Sequence, residues 1–307
     1  MRPELDGPSA IGRSAPQMQT HTLAKRVRLY LSLTKPLQTM LLLTTGVCAY
    51  ALTLPGAVDW TELTLGGLAL LGSIAGCTAL NMVIDRDIDA QMGRTARRPL
   101  PARAISPRAA TAFGLLLAVP GLALAWVLRP LFGLLVSAGF ALDLAVYTLW
   151  LKRRTPLSIL FGGISGGMPA MAGRALALGR VDLVGVLLAI GVLLWIPSHI
   201  LTLATHYAKE YRLAGIPVWP NVYGPRATRR TVAVASLGAA AALGMAGWLL
   251  GIHPTALIVL LLMGLGLSGM ALAVLIRPSE RLNWRLFKAA SIYMLGSFVC
   301  LTIGAVV

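Results

Sequence analysis

The chain has 307 residues, of which 57% are hydrophobic and 12% are charged, and its mean hydropathy is +0.76. Soluble domains carry about 25% charged residues, so this composition excludes a water-soluble fold and indicates an integral membrane protein. The net charge of +16 is typical of nucleic-acid-binding proteins. Here, however, the basic residues lie between apolar segments and do not alternate with aromatic residues, so we predict no nucleic-acid partner.

The N-terminal segment differs from the rest of the chain. Residues 1–30 are polar, contain glycine and proline, and lack the apolar core of a signal peptide. We predict a mobile cytoplasmic tail over residues 1–30 and a single transmembrane domain over residues 31–307. Apolar windows of about 20 residues then predict an all-α, polytopic bundle of about nine helices. The predicted spans are 36–54, 64–84, 109–128, 131–150, 157–175, 183–204, 231–251, 254–276 and 286–306.

The positive charges predict the orientation of these spans. All of the 27 Lys and Arg residues except Arg129, Arg174 and Arg180 fall on the N-terminal side of the membrane when nine spans are drawn. Because cytoplasmic loops carry an excess of Lys and Arg, we predict a cell (inner) membrane protein with a cytoplasmic N-terminus and an outer C-terminus. The long connections 85–108 and 205–230 both lie on the cytoplasmic side, where we expect the active site to open.

An acidic motif stands at the cytoplasmic end of the second span. Asn81, Asp85 and Asp89 are spaced by four residues, so a helix that continues to about residue 90 would place them in one stripe. Mg²⁺ prefers hard oxygen ligands and often shares them with phosphates. We therefore predict a magnesium site here; the alternative is a solvated helix end with balanced charge. Arginines just beyond the stripe would bind the negative charge of the phosphates that Mg²⁺ does not neutralise. These are Arg94, Arg97 and Arg98.

A second polar stripe is predicted at the other long connection. If a helix runs from His199 to Glu210, these residues and His206 share one face, because steps of seven and eleven residues return within about 20°. Glu210 is either a further metal ligand or an ion-pair partner of Lys209 or Arg212. His199 would lie about 16 Å deeper, where it either contacts an apolar acceptor such as heme or forms a hydrogen bond inside the bundle. His206 either helps to bind the anion or is an ordinary boundary histidine.

The fourth span contains an ionisable residue. Asp143 precedes Tyr147 by one turn of an α-helix. A carboxylate inside a membrane requires a partner or a polar cavity. Asp143 therefore either supports Tyr147 at the wall of a cavity or makes a structural hydrogen bond.

Several motifs together resemble one family. The run D-R-D-I-D-A-x-M-x-R-T-x-x-R-P-L over residues 85–100 resembles the first signature of the UbiA superfamily of intramembrane prenyltransferases, and its form is most similar to that of the heme O synthases (protoheme IX farnesyltransferases). Segments 33–36, 147–155 and 162–169 match the same family in collinear order. The segment from His199 to Pro220 also matches, with Glu210 where the family usually has Asp and Ser198 where it commonly has Pro.

The resemblance implies a reaction and its participants. A UbiA-like bundle would use Mg²⁺ to convert farnesyl diphosphate, heme b and water into heme O and diphosphate, with heme A synthase or another heme-pathway enzyme as a partner. The implied catalytic residues are Asp85, Asp89 and Lys152. The implied metal ligands are Asn81, Asp85, Asp89 and Glu210. The implied diphosphate-binding residues are Lys35, Arg94, Arg97, Arg98, Lys152, Arg153 and Lys209. The implied acceptor contacts are His199, Tyr147 and His206.

Two other functions also fit the sequence. One is a related prenyltransferase that acts on a quinone precursor or a tetrapyrrole. The other is a heme-binding or transport membrane protein without catalysis. If only the positive-inside rule applies, Lys152 and Arg153 serve only to fix the orientation of the helices in the membrane.

Overall fold

The computed structural model describes residues 22–307, and this part of the chain is helical and contains no strand. The helices are α1 (Leu23–Leu33), α2 (Pro36–Ala51), α3 (Trp60–Ile84), α4 (Arg86–Gln91), α5 (Pro107–Leu128), α6 (Pro130–Ala141, continued as a π-helix over Leu142–Leu151), α7 (Ser158–Leu178), α8 (Leu183–His206), α9 (Ala208–Leu213), α10 (Trp219–Val222), α11 (Gly224–Leu249), α12 (Pro254–Ile276) and α13 (Glu280–Val306).

Side chains at the helix ends explain where several helices begin. Asp59, Ser106, Asp182 and Ser279 each accept a hydrogen bond from a backbone N–H in the first turn of α3, α5, α8 and α13, respectively. Such caps satisfy donors that have no partner within the helix. Helix α7 ends at Gly179, whose φ of 72° is a left-handed conformation that favours glycine.

The helices confirm a multi-pass membrane protein. Seven of the described helices are long and apolar enough to cross a membrane, namely α3, α5, α6, α8, α11, α12 and α13. Helices α2 and α7, with 16 and 21 residues, occupy the positions of the remaining two predicted spans. The all-α bundle is therefore confirmed, whereas the count of nine spans stays a prediction.

Helix α1 begins at Leu23, so residues 23–30 of the segment predicted as a mobile tail are helical, while the domain boundary at residue 30 stays a prediction. Leu29, Tyr30 and Leu33 lie on one face of α1 and pack against Ala79 and Phe113. The basic residues of α1 lower the mean hydropathy of the segment, so a hydropathy window does not detect its apolar face. Residues 1–21 of the predicted tail lie outside the described part of the chain.

Helices α2 and α7 cross at a contact between two glycines. A Cβ added to Gly173 would lie 2.0 Å from the carbonyl oxygen of Gly46. Only glycine allows the two backbones to approach this closely. The crossing fixes α2, which carries Lys35 at its N-terminal end, against the centre of the bundle.

Charges at the end of the bundle away from Asp85 are neutralised in pairs. The guanidinium of Arg174 donates two hydrogen bonds of 2.7 Å to Asp182. Arg129 donates to Glu62 at 3.2 Å, and the carboxylate of Glu62 also accepts a hydrogen bond of 2.7 Å from Tyr50. Two of the three basic residues that the sequence analysis left on the outer side are thus held in ion pairs.

Candidate active site at the α3–α4 junction

The acidic stripe, which consists of Asn81, Asp85 and Asp89, spans a break between two helices. Helix α3 ends at Ile84 and α4 begins at Arg86, so the helix expected to continue to residue 90 is interrupted at Asp85. The Asp85 N–H still donates to the Asn81 carbonyl at 2.9 Å, and the Asp89 N–H to the Asp85 carbonyl at 2.8 Å. These bonds preserve the four-residue spacing. All three side chains on the stripe are buried, with 6–7% exposure.

Each side chain on the stripe has a hydrogen-bond partner, but two of the side-chain oxygen atoms have none among the described residues. Asp85 Oδ2 accepts from the ammonium of Lys152, and both Asp89 oxygens accept from Arg98 at 2.8 and 2.9 Å. Asn81 Nδ2 donates to Asp143 Oδ2 at 2.6 Å. Asn81 Oδ1 and Asp85 Oδ1 are buried and have no partner among the described residues. Because buried polar atoms are normally hydrogen-bonded, this pair of hard oxygens fits the ligand preference of Mg²⁺.

The π-helical part of α6 brings Asp143 and Lys152 to the same site. Nine residues separate them, which is two and a half turns of an α-helix at 3.6 residues per turn. A π-helix closes each hydrogen bond over five residues and has wider turns. Lys152 N–H accordingly donates to the carbonyl of Tyr147, five residues earlier, at 2.8 Å. The wider turns place Asp143, Tyr147 and Lys152 on one face, which an α-helical pattern does not predict.

A basic cavity of about 510 Å³ lies beside the stripe. Its lining residues are Arg28, Leu29, Ser32, Lys35, Met82, Arg94, Arg97, Arg98 and Pro99. Four of the five cations were predicted to bind diphosphate. Arg28 was missed, since only the helical pattern of α1 could have shown that it faces this side. Burial and the nearby positive charges of Lys152 and Arg98 together lower the pKa of Lys35 to about 8.

The side chain of Glu210, a residue of α9, contacts the connection between α4 and α5 and does not lie next to Asp85. Helix α8 ends at His206 and α9 begins at Ala208, so the expected continuous helix to residue 210 is interrupted at Tyr207. Glu210 Oε2 accepts a hydrogen bond of 3.3 Å from the Arg94 N–H. Within residues 22–307, no three Asp, Glu, His or Cys side chains are close enough to share a metal ion.

Two residues with predicted diphosphate contacts lie elsewhere. Arg153 donates two hydrogen bonds of 2.7 Å to Asp87 and one of 3.0 Å to the Ile84 carbonyl. It therefore ties the end of α6 to the α3–α4 break. Arg153 also lowers the pKa of Asp87 through these hydrogen bonds. Lys209 is exposed on α9.

Deeper in the bundle, the predicted acceptor histidine lies in a stack of aromatic rings. The His199 ring stacks between Trp195 and Phe287, with centroid distances of 5.0 and 4.4 Å. Its Nδ1 is 3.2 Å from the hydroxyl of Ser291. This aromatic stack continues through Trp284 to His206, which forms an ion pair of 3.0 Å with Glu280 when protonated. His206 thus contacts α13 and not the basic cavity.

Comparison with known proteins identifies the class to which this fold and site belong. The model of the UbiA prenyltransferase family matches residues 41–295. The chain belongs to this family of intramembrane prenyltransferases.

Relatives and a solved structure narrow the comparison. The chain is similar to the protoheme IX farnesyltransferase of Thermofilum pendens, with 47% identity over 71% of this chain and 76% of that protein. It is similar to the enzyme of the same name from Pyrobaculum neutrophilum, with 40% identity over 85% of this chain and 94% of that protein. A UbiA homolog from Archaeoglobus fulgidus, solved with GPP and Mg²⁺, shares the fold with a TM-score of 0.68 and 14% identity, over 89% of this chain and 99% of that one.

Proposed function

We propose that the protein transfers the farnesyl group of farnesyl diphosphate to a vinyl group of heme b and so makes heme O. The observation that carries this proposal is the 40–47% identity, over most of the chain, to proteins named protoheme IX farnesyltransferase. The orphaned oxygens beside a basic cavity support the prenyl diphosphate half of the reaction. The balanced reaction consumes farnesyl diphosphate, heme b and water and releases diphosphate.

The oxygens of the acidic stripe are proposed to hold Mg²⁺. When bound, the ion neutralises charge that develops on the leaving diphosphate. Asn81 and Asp85 present the two unpartnered oxygens, and Asp89 extends the set by one helical turn. Glu210 accepts a hydrogen bond from the Arg94 N–H and is not included in this set, because no three acidic side chains of the described residues are close enough to share an ion.

The basic cavity is proposed to bind the diphosphate. Arg94, Arg97, Arg98 and Lys35 line it, and Arg28 adds a fifth cation from α1. Arginine forms forked hydrogen bonds to phosphate oxygens. Since Arg98 also holds Asp89 in place, it would link the anion to the metal ligands.

Lys152 is proposed to act where the carbon–oxygen bond breaks. Its ammonium contacts Asp85 and lies 5.7 Å from the centre of the Tyr147 ring. Loss of diphosphate leaves an allylic cation, which an aromatic face stabilises and from which surrounding apolar helices exclude water. The terminal vinyl carbon bonds to C1 of the farnesyl group. Water then adds to the cation formed next to the porphyrin ring and loses its proton to solvent.

The aromatic stack is the proposed contact for the heme. The ring faces of His199 are covered by Trp195 and Phe287, so only the imidazole edge is available to the acceptor. The Nε2 atom on this edge is a suitable ligand for iron. In this arrangement the polar diphosphate binds at the cytoplasmic rim of an inner membrane, and the apolar acceptor lies deeper.

The test is a mass-analysed assay with the purified protein in lipid. Farnesyl diphosphate, heme b and Mg²⁺ are added, and we expect heme O to form and its formation to stop when EDTA removes the metal. Asp89→Asn should abolish the product, whereas the matched variant Glu62→Gln, in the first turn of α3, should retain it. Prenylation of an added quinone precursor without formation of heme O would overturn the proposal.

A further inference from the structure

We infer that Asp143 is a positioning residue that turns the Asn81 amide so that its oxygen faces the Mg²⁺ site. The inference rests on the proposed function, because it assigns a role toward the same metal. Asp143 lies on the π-helical part of α6, one helix away from the acidic stripe. Neither the composition of the stripe nor its spacing assigns this role.

The chemistry of the two groups fixes the orientation. An ionised carboxylate only accepts hydrogen bonds, and an amide nitrogen only donates them. The 2.6 Å contact with Asp143 Oδ2 therefore requires the NH₂ end of Asn81 to point at Asp143. The carbonyl oxygen must then point away. That oxygen is buried and has no hydrogen-bond partner within residues 22–307, and Asn81 as a whole is 7% exposed.

Other groups around the site also interact with Asp143. The Cys77 thiol donates to the same oxygen at 3.3 Å, one turn before Asn81 on α3. The Thr148 hydroxyl donates to the backbone carbonyl of Asp143 at 2.8 Å. Lys35 adds an attractive positive charge across the site.

A free amide could present either end to the metal site. A flipped Asn81 would turn its NH₂ group to the side on which its oxygen now lies, and it would present a donor instead of an acceptor to a metal ion. Asp143 excludes that state because two acceptors cannot share a hydrogen bond. Residues that orient metal ligands in this way typically change metal affinity by about 10–100-fold.

The test measures metal affinity without turnover. Purified protein is titrated with Mn²⁺, followed by electron paramagnetic resonance, in the presence of the non-reactive thiolodiphosphate analogue of farnesyl diphosphate. We expect Asp143→Leu to weaken Mn²⁺ binding by about tenfold or more. Asp143→Asn, which keeps an acceptor oxygen, should stay within about threefold of the unchanged protein.

The same substitutions in the Asn81→Asp protein separate an orienting role of Asp143 from a general structural role. In Asn81→Asp the ligand presents an oxygen whichever way it turns, and it repels Asp143. Adding Asp143→Leu or Asp143→Asn to Asn81→Asp should therefore strengthen Mn²⁺ binding. This effect is opposite to the weaker Mn²⁺ binding expected when Asp143→Leu is the only substitution. A purely structural role predicts weakening in both backgrounds. If Asp143→Leu does not fold, the comparison of Asn81→Asp with and without Asp143→Asn still decides the matter.

Two results would refute the positioning role of Asp143, and a third would refute the magnesium site itself. Equal Mn²⁺ affinity of Asp143→Leu and the unchanged protein would refute the inference alone. The same holds if the second substitution weakens binding in the Asn81→Asp background. Absence of Mn²⁺ binding by the unchanged, folded protein with the analogue would instead refute the magnesium site on which the proposed function depends.

Discussion

The crossing of α2 and α7 gives a prediction whose size follows from the coordinates. In Gly173→Ala, the new Cβ would lie 2.0 Å from the Gly46 carbonyl oxygen, where ordinary contact begins at 3.4 Å. The helices must therefore separate by about 1.4 Å, because the blocking atoms are backbone and cannot rotate away. Overpacking of this kind costs about 1–3 kcal/mol, and we expect the upper end. For a chain of this size that is a fall in Tm of about 5 °C.

The assay compares two glycine variants by thermal unfolding in one detergent. Gly266→Ala is the matched control, since a Cβ at Gly266, in α12, meets nothing within 4 Å. The control should keep its Tm or gain slightly, because alanine favours helix over glycine by about 1 kcal/mol. If the Gly173 and Gly266 variants unfold at the same temperature, the close approach of α2 and α7 is refuted.

Three further predictions concern the site and the opposite end of the bundle. Asp85→Asn should lower kcat about 100-fold, a loss of about 2.7 kcal/mol, whereas Asp87→Asn, whose side chain is 54% exposed, should stay within about threefold; equal losses in steady-state assays would contradict the assignment. Arg97→Gln should raise KM for farnesyl diphosphate about tenfold with kcat unchanged, and the difference should shrink at high salt; a change in kcat alone would argue against diphosphate binding. Hydrogen bonds from Arg174 lower the pKa of Asp182, so this carboxylate stabilises the fold above its unfolded pKa of about 3.9 and loses that contribution as pH falls toward the lower folded pKa. Below pH 4 the unfolding temperature should drop more steeply than in Asp182→Asn, and parallel curves would exclude the effect.

The sequence predicted the acidic stripe through a spacing that survives a change in the helix. Asn81, Asp85 and Asp89 were grouped by assuming one continuous α-helix. The helix breaks at Asp85, but two four-residue hydrogen bonds cross the break and keep the three side chains together. A continuous helix was also assumed from His199 to Glu210, but it is interrupted at Tyr207. His206 contacts Glu280 of α13, whereas Glu210 contacts the Arg94 N–H.

The partners of the charged residues could not be read from the sequence. Arg153 follows Lys152 directly, and both were predicted to bind diphosphate. Adjacent residues at the end of a helix point in different directions, and Arg153 reaches the exposed Asp87 while Lys152 reaches the buried Asp85. The role of Asp143 was left open for a related reason: α-helical geometry places it opposite Lys152, and no sequence pattern indicated the π-helix.

The wide turns of α6 also bear on how this site could arise or be lost. Point substitutions change a side chain but leave its angular position on the helix unchanged. Inserting or deleting one residue shifts the register of everything beyond it, and a π-turn absorbs such an insertion without disturbing the helix on either side. A single-residue deletion between Asp143 and Lys152 would thus rotate one of them out of the site while preserving every neighbouring span. A length change within residues 142–151 would therefore disturb this site even though it leaves the side chains of Asp143 and Lys152 unchanged.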